Sequence, residues 1–516
     1  MSQLSSNVPC TKSLPTLPDE LWAYIGGFLL KPDLAKSYSI SPIFFDLWMK
    51  KVFQDVKICS LRDLNTLRTL CTMTPLATRY VTKLTLCPQF FPLEEAATSS
   101  SYQKSQSQTI YLSEKLTNAS STQEIPTITA VQILLTKTAQ MTNLKTLVIK
   151  CRTPDDAKLF GNIVIFLDAI KVHANRLENL EINVPTEFLE EVLAAMPCWA
   201  TLRSISLGFE GAIKRNRGKA AWKKAALFIN LYSATLHRLV IFAASVNNDP
   251  IPLFSGLEHL PNLTEISLSL SAEYFTPQHR GSGLLETFLK AHSEQILDLE
   301  LRSAGRFRHE ESSHPLLLHH PLFIIDFPSL TCLRFVLNDK YHNPTQLSTE
   351  PPIADLLCKN LTQYRGRLQQ LCITGRTLSF SEVKALASSL ALDDSENNSH
   401  LTYLDVRIQS FDADVLTVLA RAFPTLDDLC LGHPYLCNTV PTSDAILPAR
   451  CNTFVDSMSN CDPALSQWKL RHLHIYLREF QAWEQVKEAL LSALPNLATI
   501  NGHSDDRTIA ENIIPT

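Results

Sequence analysis

Histidine pairs are the side chains whose spacing comes nearest to metal chemistry: His319-His320, His472-x-His474, and His309 beside Glu310. A zinc hydrolase helix needs two histidines one turn apart with a glutamate next to the first. His309-Glu310 lacks that second histidine. His472 and His474 alternate on a strand pattern, so both rings face one side, but no acid or thiol adjoins them to complete a ligand set. Gly281-Ser-Gly283 stands alone, and there is neither a Walker loop nor a G-x-S-x-G elbow. Cys437 could be a nucleophile in principle, but nothing in the sequence marks it. No catalytic residue, metal ligand or cofactor is assigned on this pattern, and a non-enzymatic chain is expected.

One cluster is suited to binding. Lys214, Arg215, Arg217, Lys219, Lys223 and Lys224 fall within eleven residues with no acid among them. The plain reading is a solvated loop leading into a helix from Ala220. The functional one is contact with an acidic or phosphorylated partner, or a nuclear-import signal. Arg302, Arg306 and Arg308 could extend such a surface.

These residues must be positioned by a long chain. Its 516 residues exceed what one compact core holds, so several domains or a repeat array are required. The net charge of -4 argues against broad nucleic-acid binding. Thirteen scattered cysteines, odd in number and without a CxxC pair, read as free thiols in a reducing compartment, cytoplasmic or nuclear. No signal peptide and no apolar run of about 18 residues is present, so no membrane contact is expected. The sequons at Asn118, Asn262, Asn360 and Asn397 are accordingly read as chance matches.

A six-residue phrase, apolar-x-x-apolar-x-apolar, recurs along the chain. It begins at Leu144, Leu177, Leu202, Leu236, Leu263, Ile296, Leu330, Leu368, Leu401, Leu426 and Leu470, with an early copy at Val81 and a partial one at Leu497. Intervals of 25 and 27 residues recur, and the longer ones carry extra residues. Such a period indicates a leucine-rich repeat. The fourth and sixth positions of each phrase point inward from a short strand, and the x positions look outward. Apolar stripes of helical period separate the phrases: Phe188 to Leu193, Leu284 to Leu289, Glu382 to Leu390 after Ser381, Val415 to Phe423, and Trp483 to Leu494. The expected architecture is an α/β solenoid over residues 61–516, with parallel strands on the concave side and helices on the convex side.

Residues 14–60 follow another pattern. Pro18, Asp19 and Glu20 suit a helix start, and Leu21, Ile25, Phe28 and Leu29 form one apolar face. Pro32 and Asp33 open a second helix carrying Leu34; Ser41 and Pro42 cap a third with Phe45 and Trp48. Three short helices bury little area alone, so the unit is marginal unless docked on a partner. The run Leu17-Pro18-x-Glu20-Leu21-x-x-x-Ile25-x-x-Phe28-Leu29, followed by Asp33-Leu34, resembles an F-box. With repeats behind it, the chain is similar to F-box/leucine-rich-repeat proteins, its uneven units resembling fungal and protist members. The third helix departs from the family's valine-cysteine-arginine-tryptophan-like stretch, having Tyr38-Ser39-Ile40-Ser41 and Phe44-Phe45. The resemblance implies a non-catalytic subunit of a cullin-RING (SCF-type) ubiquitin ligase. Its F-box would bind a Skp-type adaptor, and through it the cullin and RING subunits, while the repeats hold a protein substrate. It places Leu17, Pro18, Leu21, Ile25, Phe28, Leu29 and Leu34 at the adaptor interface.

Three irregular stretches remain. Residues 1–13 are expected to be disordered, and 96–130, rich in Ser, Thr and Gln, read as a disordered loop inserted in the first repeats. Residues 432–466, with four prolines, read as a long insertion on a binding face. Substrate contacts are expected among the outward residues Arg203, His237, Arg238, Glu265, Arg334, Tyr403, Asp427, Asp428 and Arg471. Basic residues come first and acids later, so a substrate spanning the arc would meet positive charge before negative.

Overall fold

The structure is a computed structural model. It describes residues 18–37, 39, 42–58, 77–87, 138, 140–151, 167, 170, 176–210, 215–243, 250–271, 274, 282–304, 325–336, 353–391, 400–432, 435–436, 447–460, 462–476 and 483–501. The chain divides into two units, Met1–Leu180 with Ala195–Thr201, and Glu181–Ala194 with Leu202–Thr516. Leu17, Lys214 and the stretches 1–13 and 96–130 lie outside the described residues.

The first unit opens with three helices: α1 (Asp19–Phe28), α2 (Lys31–Ser37) and α3 (Pro42–Phe53). The Pro18 carbonyl accepts the amides of Leu21 and Trp22 and so starts α1, and Lys51 of α3 donates to the Leu29 carbonyl at 2.6 Å and closes its end. Trp22 meets Phe44 edge-on at 5.4 Å between ring centres. Gly26 sits where α1 crosses α3: a Cβ there would run into Leu47 and lie 3.2 Å from Phe44. The glycine that weakens α1 as a helix is therefore what lets it approach α3.

Strands follow at once. β1 (Asp55–Ile58) pairs in parallel with β2 (Lys83–Leu86), and β2 with β3 (Thr146–Lys150). β1 lies inside the segment read from sequence as helical only. Val56 and Ile58 are buried, so even this short strand contributes two side chains to the core. β4 (Asn179–Pro185) carries the next phrase, and its first residue donates its amide to the Lys145 carbonyl at 2.9 Å.

In the second unit β5 (Ser204–Glu210), β6 (Arg238–Ala243), β7 (Glu265–Ser271), β8 (Asp298–Ala304), β9 (Cys332–Val336) and β10 (Gln370–Leu378) lie in sequence order. β11 (Tyr403–Ile408) continues the order. The short β12 (Ser410–Phe411) leaves the main sheet to pair with β14 (Tyr435–Leu436), while β13 (Asp428–Gly432), β15 (His472–Tyr476) and β16 (Thr499–Asn501) complete it. Every described pairing is parallel. The fourth and sixth phrase positions stack into two buried rows, such as Leu239–Ile266–Leu299 and Ile241–Leu268–Leu301. Helices flank the strands. The result is an α/β, solenoid-like arrangement consistent with a leucine-rich-repeat-like fold.

Each apolar stripe seen in sequence forms a helix: Thr186–Ala195, Ser282–His292, Phe380–Leu390, Ala413–Ala422 and Trp483–Ala493. The third is capped by Ser379, which forms a reciprocal capping box with Glu382. Residues 432–466 hold the Leu447–Ser459 helix and most of the Pro463–Gln467 helix. These join the helical layer, the first against the Trp483–Ala493 helix and the second against Ala413–Ala422. Cys451, Phe454 and Met458 form its buried stripe, with Phe454 stacked on Phe411 at 5.2 Å.

His292 ties two repeats together from inside. Its Nδ1 donates to the Phe288 carbonyl at 2.7 Å and its Nε2 accepts the Leu260 amide at 3.0 Å, a pairing that requires the neutral ring. Burial lowers its pKa below the ordinary imidazole value, and the His259 ring stacked 5.0 Å away adds to the effect. The unfolded state therefore binds the proton more readily. The His292 contribution to stability is complete above about pH 6.5 and is lost as pH falls through the lower folded-state value. Denaturation midpoints measured between about pH 7.5 and about pH 5.5 should fall in the wild type and fall less in His292→Gln. Equal slopes in the two proteins would show that His292 does not carry the effect.

Candidate functional site

Period-two alternation places the third and fifth phrase positions on the face opposite the core, and the parallel register lines them up across strands. One row reads Arg238, Glu265, Asp298, Cys332, Gln370, Tyr403, Asp428, His472; its neighbour reads Val240, Ser267, Glu300, Arg334, Cys372, Asp405, Cys430, His474. Most of these side chains are partly or fully exposed. The predicted residues Arg203, His237, Asp427 and Arg471 precede the strands at the second phrase position. The Arg203 carbonyl accepts the amides of His237 and Arg238, which sets the spacing between repeats.

The expected progression from positive to negative charge is not what this face presents. Arg238 pairs with Glu265 at 3.5 Å, Arg334 with Asp298 at 3.0 Å, Arg302 with Glu300 at 3.0 Å, and Arg471 with Asp427 at 3.5 Å. Each early cation but one is met by an acid on its own or the adjacent repeat, and the later acid Asp427 is met by a cation. The exposed pairs Arg238–Glu265 and Arg471–Asp427 contribute about 0–1 kcal/mol each, so they set the local field more than the stability, whereas Arg302–Glu300 is largely shielded from water. Arg203 is the exception: among the described residues no acid lies within ion-pair reach of it.

Toward β10–β15 the face becomes a half-buried polar patch. Cys372 donates to Asp405 at 3.5 Å, and His474 stands 3.8 Å from Asp428. Burial pushes the Tyr403 hydroxyl and the Cys372 thiol up, and the Asp405 carboxylate beside them acts the same way. Burial also raises Asp428, with His474 and His472 pulling it down. Burial and Asp298 bring Cys332 up to about 12. A thiol so raised stays protonated and is a poor nucleophile, so these groups offer hydrogen bonds rather than reactivity. Sequence reasoning named Arg334 on this face and passed over Glu300, Cys372 and Asp405, which hold the same phrase position. Among the described residues no group of three or more His, Cys, Asp or Glu could hold a metal ion, and no described helix is long and apolar enough to cross a membrane.

The second candidate surface is α1, in the first unit. Leu21 is 47% exposed, Ile25 41% and Phe28 72%; Tyr24 and Leu30, not singled out from sequence, are exposed as well. Leu29 is half-buried and Pro18 exposed. Leu34 differs: it is wholly buried, so it supports the surface from within. Tyr24 and Phe28 meet edge-on at 4.9 Å, extending an apolar patch that a helix of this size cannot cover from its own module.

The basic cluster is not a loop leading to Ala220. The described helix spans Arg215–Asn230 and includes Arg215, Arg217, Lys219, Lys223 and Lys224. No acid occupies its first turn.

No family model matches the chain. No curated protein matches it either. Among solved structures it is similar to the crystal structure of the Rad7 and Elc1 complex in yeast, at 15% identity and a TM-score of 0.33, over 81% of this chain and 88% of that one.

Proposed function

We propose that this chain is the substrate-recognition subunit of a cullin-RING ubiquitin ligase, working in the cytoplasm or nucleus. The α1 surface docks a Skp-type adaptor, and the outward face of the parallel sheet holds a protein substrate. The observation that carries this reading is the apolar stripe Leu21, Ile25 and Phe28. It stands in water on a helix opened by the Pro18-x-Glu20-Leu21 run, while Leu34 is sealed inside. Purification of the chain from cells with the proteasome inhibited should recover the adaptor, the cullin and ubiquitylated protein together. Recovery of protein partners with no adaptor or cullin would instead favour a repeat scaffold without a ubiquitin role. That alternative draws support from β1, which follows α3 directly and places the helices in one unit with β1–β3, as a capping module would be.

Arg203 provides a local test of the substrate face. Arg203→Glu should change stability by less than about 0.5 kcal/mol, since the side chain is exposed and, among the described residues, has no ion-pair partner. It should nonetheless reduce substrate recovery while leaving adaptor recovery intact. Arg238→Glu is a harsher change because it sets two acids side by side at Glu265. Unchanged substrate recovery by folded Arg203→Glu would move the site away from β5 and β6.

A further inference from the structure

The Arg215–Asn230 helix carries a surface that neither the adaptor nor the substrate face uses. Its inner side is fixed: Trp222, Ala225 and Ile229 are fully buried, and Trp222 packs on Phe209. Its outer side shows Lys219, Lys223 and Leu227 at four-residue spacing, with Leu231 one turn on and Lys224 alongside. The Leu231 amide bonds to the Leu227 carbonyl, so the helical turn continues to that residue. Leu227 is 61% exposed and Leu231 67%. The outer side is thus a cationic band ending in an apolar one.

Among the described residues, Lys219, Lys223 and Lys224 have no acid within ion-pair reach. The chain carries no acidic residue between Glu210 and Asp249. A chain with more acids than bases has therefore gathered three lysines that no described acid meets beside two leucines left in water.

We propose that this face binds an acidic protein segment bearing apolar side chains, its carboxylates on the three lysines and its apolar groups on Leu227 and Leu231. Charge complementarity selects the acid, and the leucines select protein over nucleic acid, which has no aliphatic counterpart for them. A membrane surface fits less well: an interfacial helix buries a whole apolar face about 5–10 Å deep, whereas here that face is locked into the core. The proposal is independent of the ligase reading.

The test uses the full chain and a labelled amphipathic peptide with glutamates on one side and leucines on the other. Its controls are the same peptide with glutamines, vesicles of one part phosphatidylserine to three parts phosphatidylcholine, and a single-stranded oligonucleotide. The acidic peptide should bind best, more weakly as salt rises. The triple variant Lys219→Glu, Lys223→Glu, Lys224→Glu should bind it at least about tenfold more weakly, as expected when like charges are set together. Leu227→Ser with Leu231→Ser should also weaken it. Both variants should keep the wild-type thermal midpoint. If charge reversal disturbs folding, the triple glutamine variant removes the same charges and must show the same loss. Peptide binding unchanged in the folded variants, or tighter wild-type binding to vesicles or oligonucleotide than to the peptide, would overturn the proposal.

Discussion

Trp468→Ala is expected to remove about 3–5 kcal/mol from the unfolding of the C-terminal repeats. The indole is 2% exposed, and its Nε1 donates to the Phe423 carbonyl at 2.9 Å, where the Ala413–Ala422 helix ends. The Trp468 carbonyl also accepts from Asn496 at 2.8 Å, so the residue links the repeats on either side. Alanine leaves a large cavity and takes one of two donors from the Phe423 carbonyl, which keeps the Leu426 amide at 3.1 Å. Trp468→Phe keeps most of the volume and loses the hydrogen bond, so a smaller loss of about 0.5–1.5 kcal/mol is expected. Because repeats contact chiefly their neighbours, the damage should stay local. Hydrogen exchange should accelerate in β13, β15 and β16 before β5 to β8. A loss under about 1 kcal/mol in Trp468→Ala would mean that the site collapses without penalty.

The second large effect is on binding. Ile25→Asp with Phe28→Asp should weaken adaptor binding at least about a hundredfold, since buried apolar anchors dominate such interfaces and each tenfold step is about 1.4 kcal/mol. The thermal midpoint should hardly move, because both side chains already face water. Leu34→Ala should behave the opposite way, destabilising the helices by about 2–5 kcal/mol, because Leu34 is fully buried. Titration of each purified variant with adaptor, alongside its melting curve, separates the roles. Undiminished binding by the folded aspartate variant would remove α1 from the interface.

The inward rows of the sheet were legible because leucine and isoleucine recur at fixed phrase positions, and burial enforces that alternation on every strand. The Arg215–Asn230 helix was half hidden because its inner face is alanine-rich, with Ala221, Ala225 and Ala226 where a stripe of leucines would have announced it. The Leu447–Ser459 helix was obscured by nearby prolines, although Cys451, Phe454 and Met458 already stood at helical spacing. Two ion pairs on the outward face join residues 27 and 44 positions apart in the chain, Arg238–Glu265 and Arg471–Asp427. Aligning the phrases by position would have revealed both, since each pair holds the same place in consecutive copies. Arg334–Asp298 is diagonal, and only the register discloses it. Which helical residues stay exposed depends on how α1 seats on α3 through Gly26, a packing detail with no periodic signal.

Hydrogen exchange of the purified full chain, with and without purified Skp-type adaptor, tests the central claim most directly. A stoichiometric complex with new protection across α1 and α2, and none in β5 to β16, is the predicted result. Absence of a complex at micromolar concentrations, or protection confined to the strands of the second unit, would contradict it.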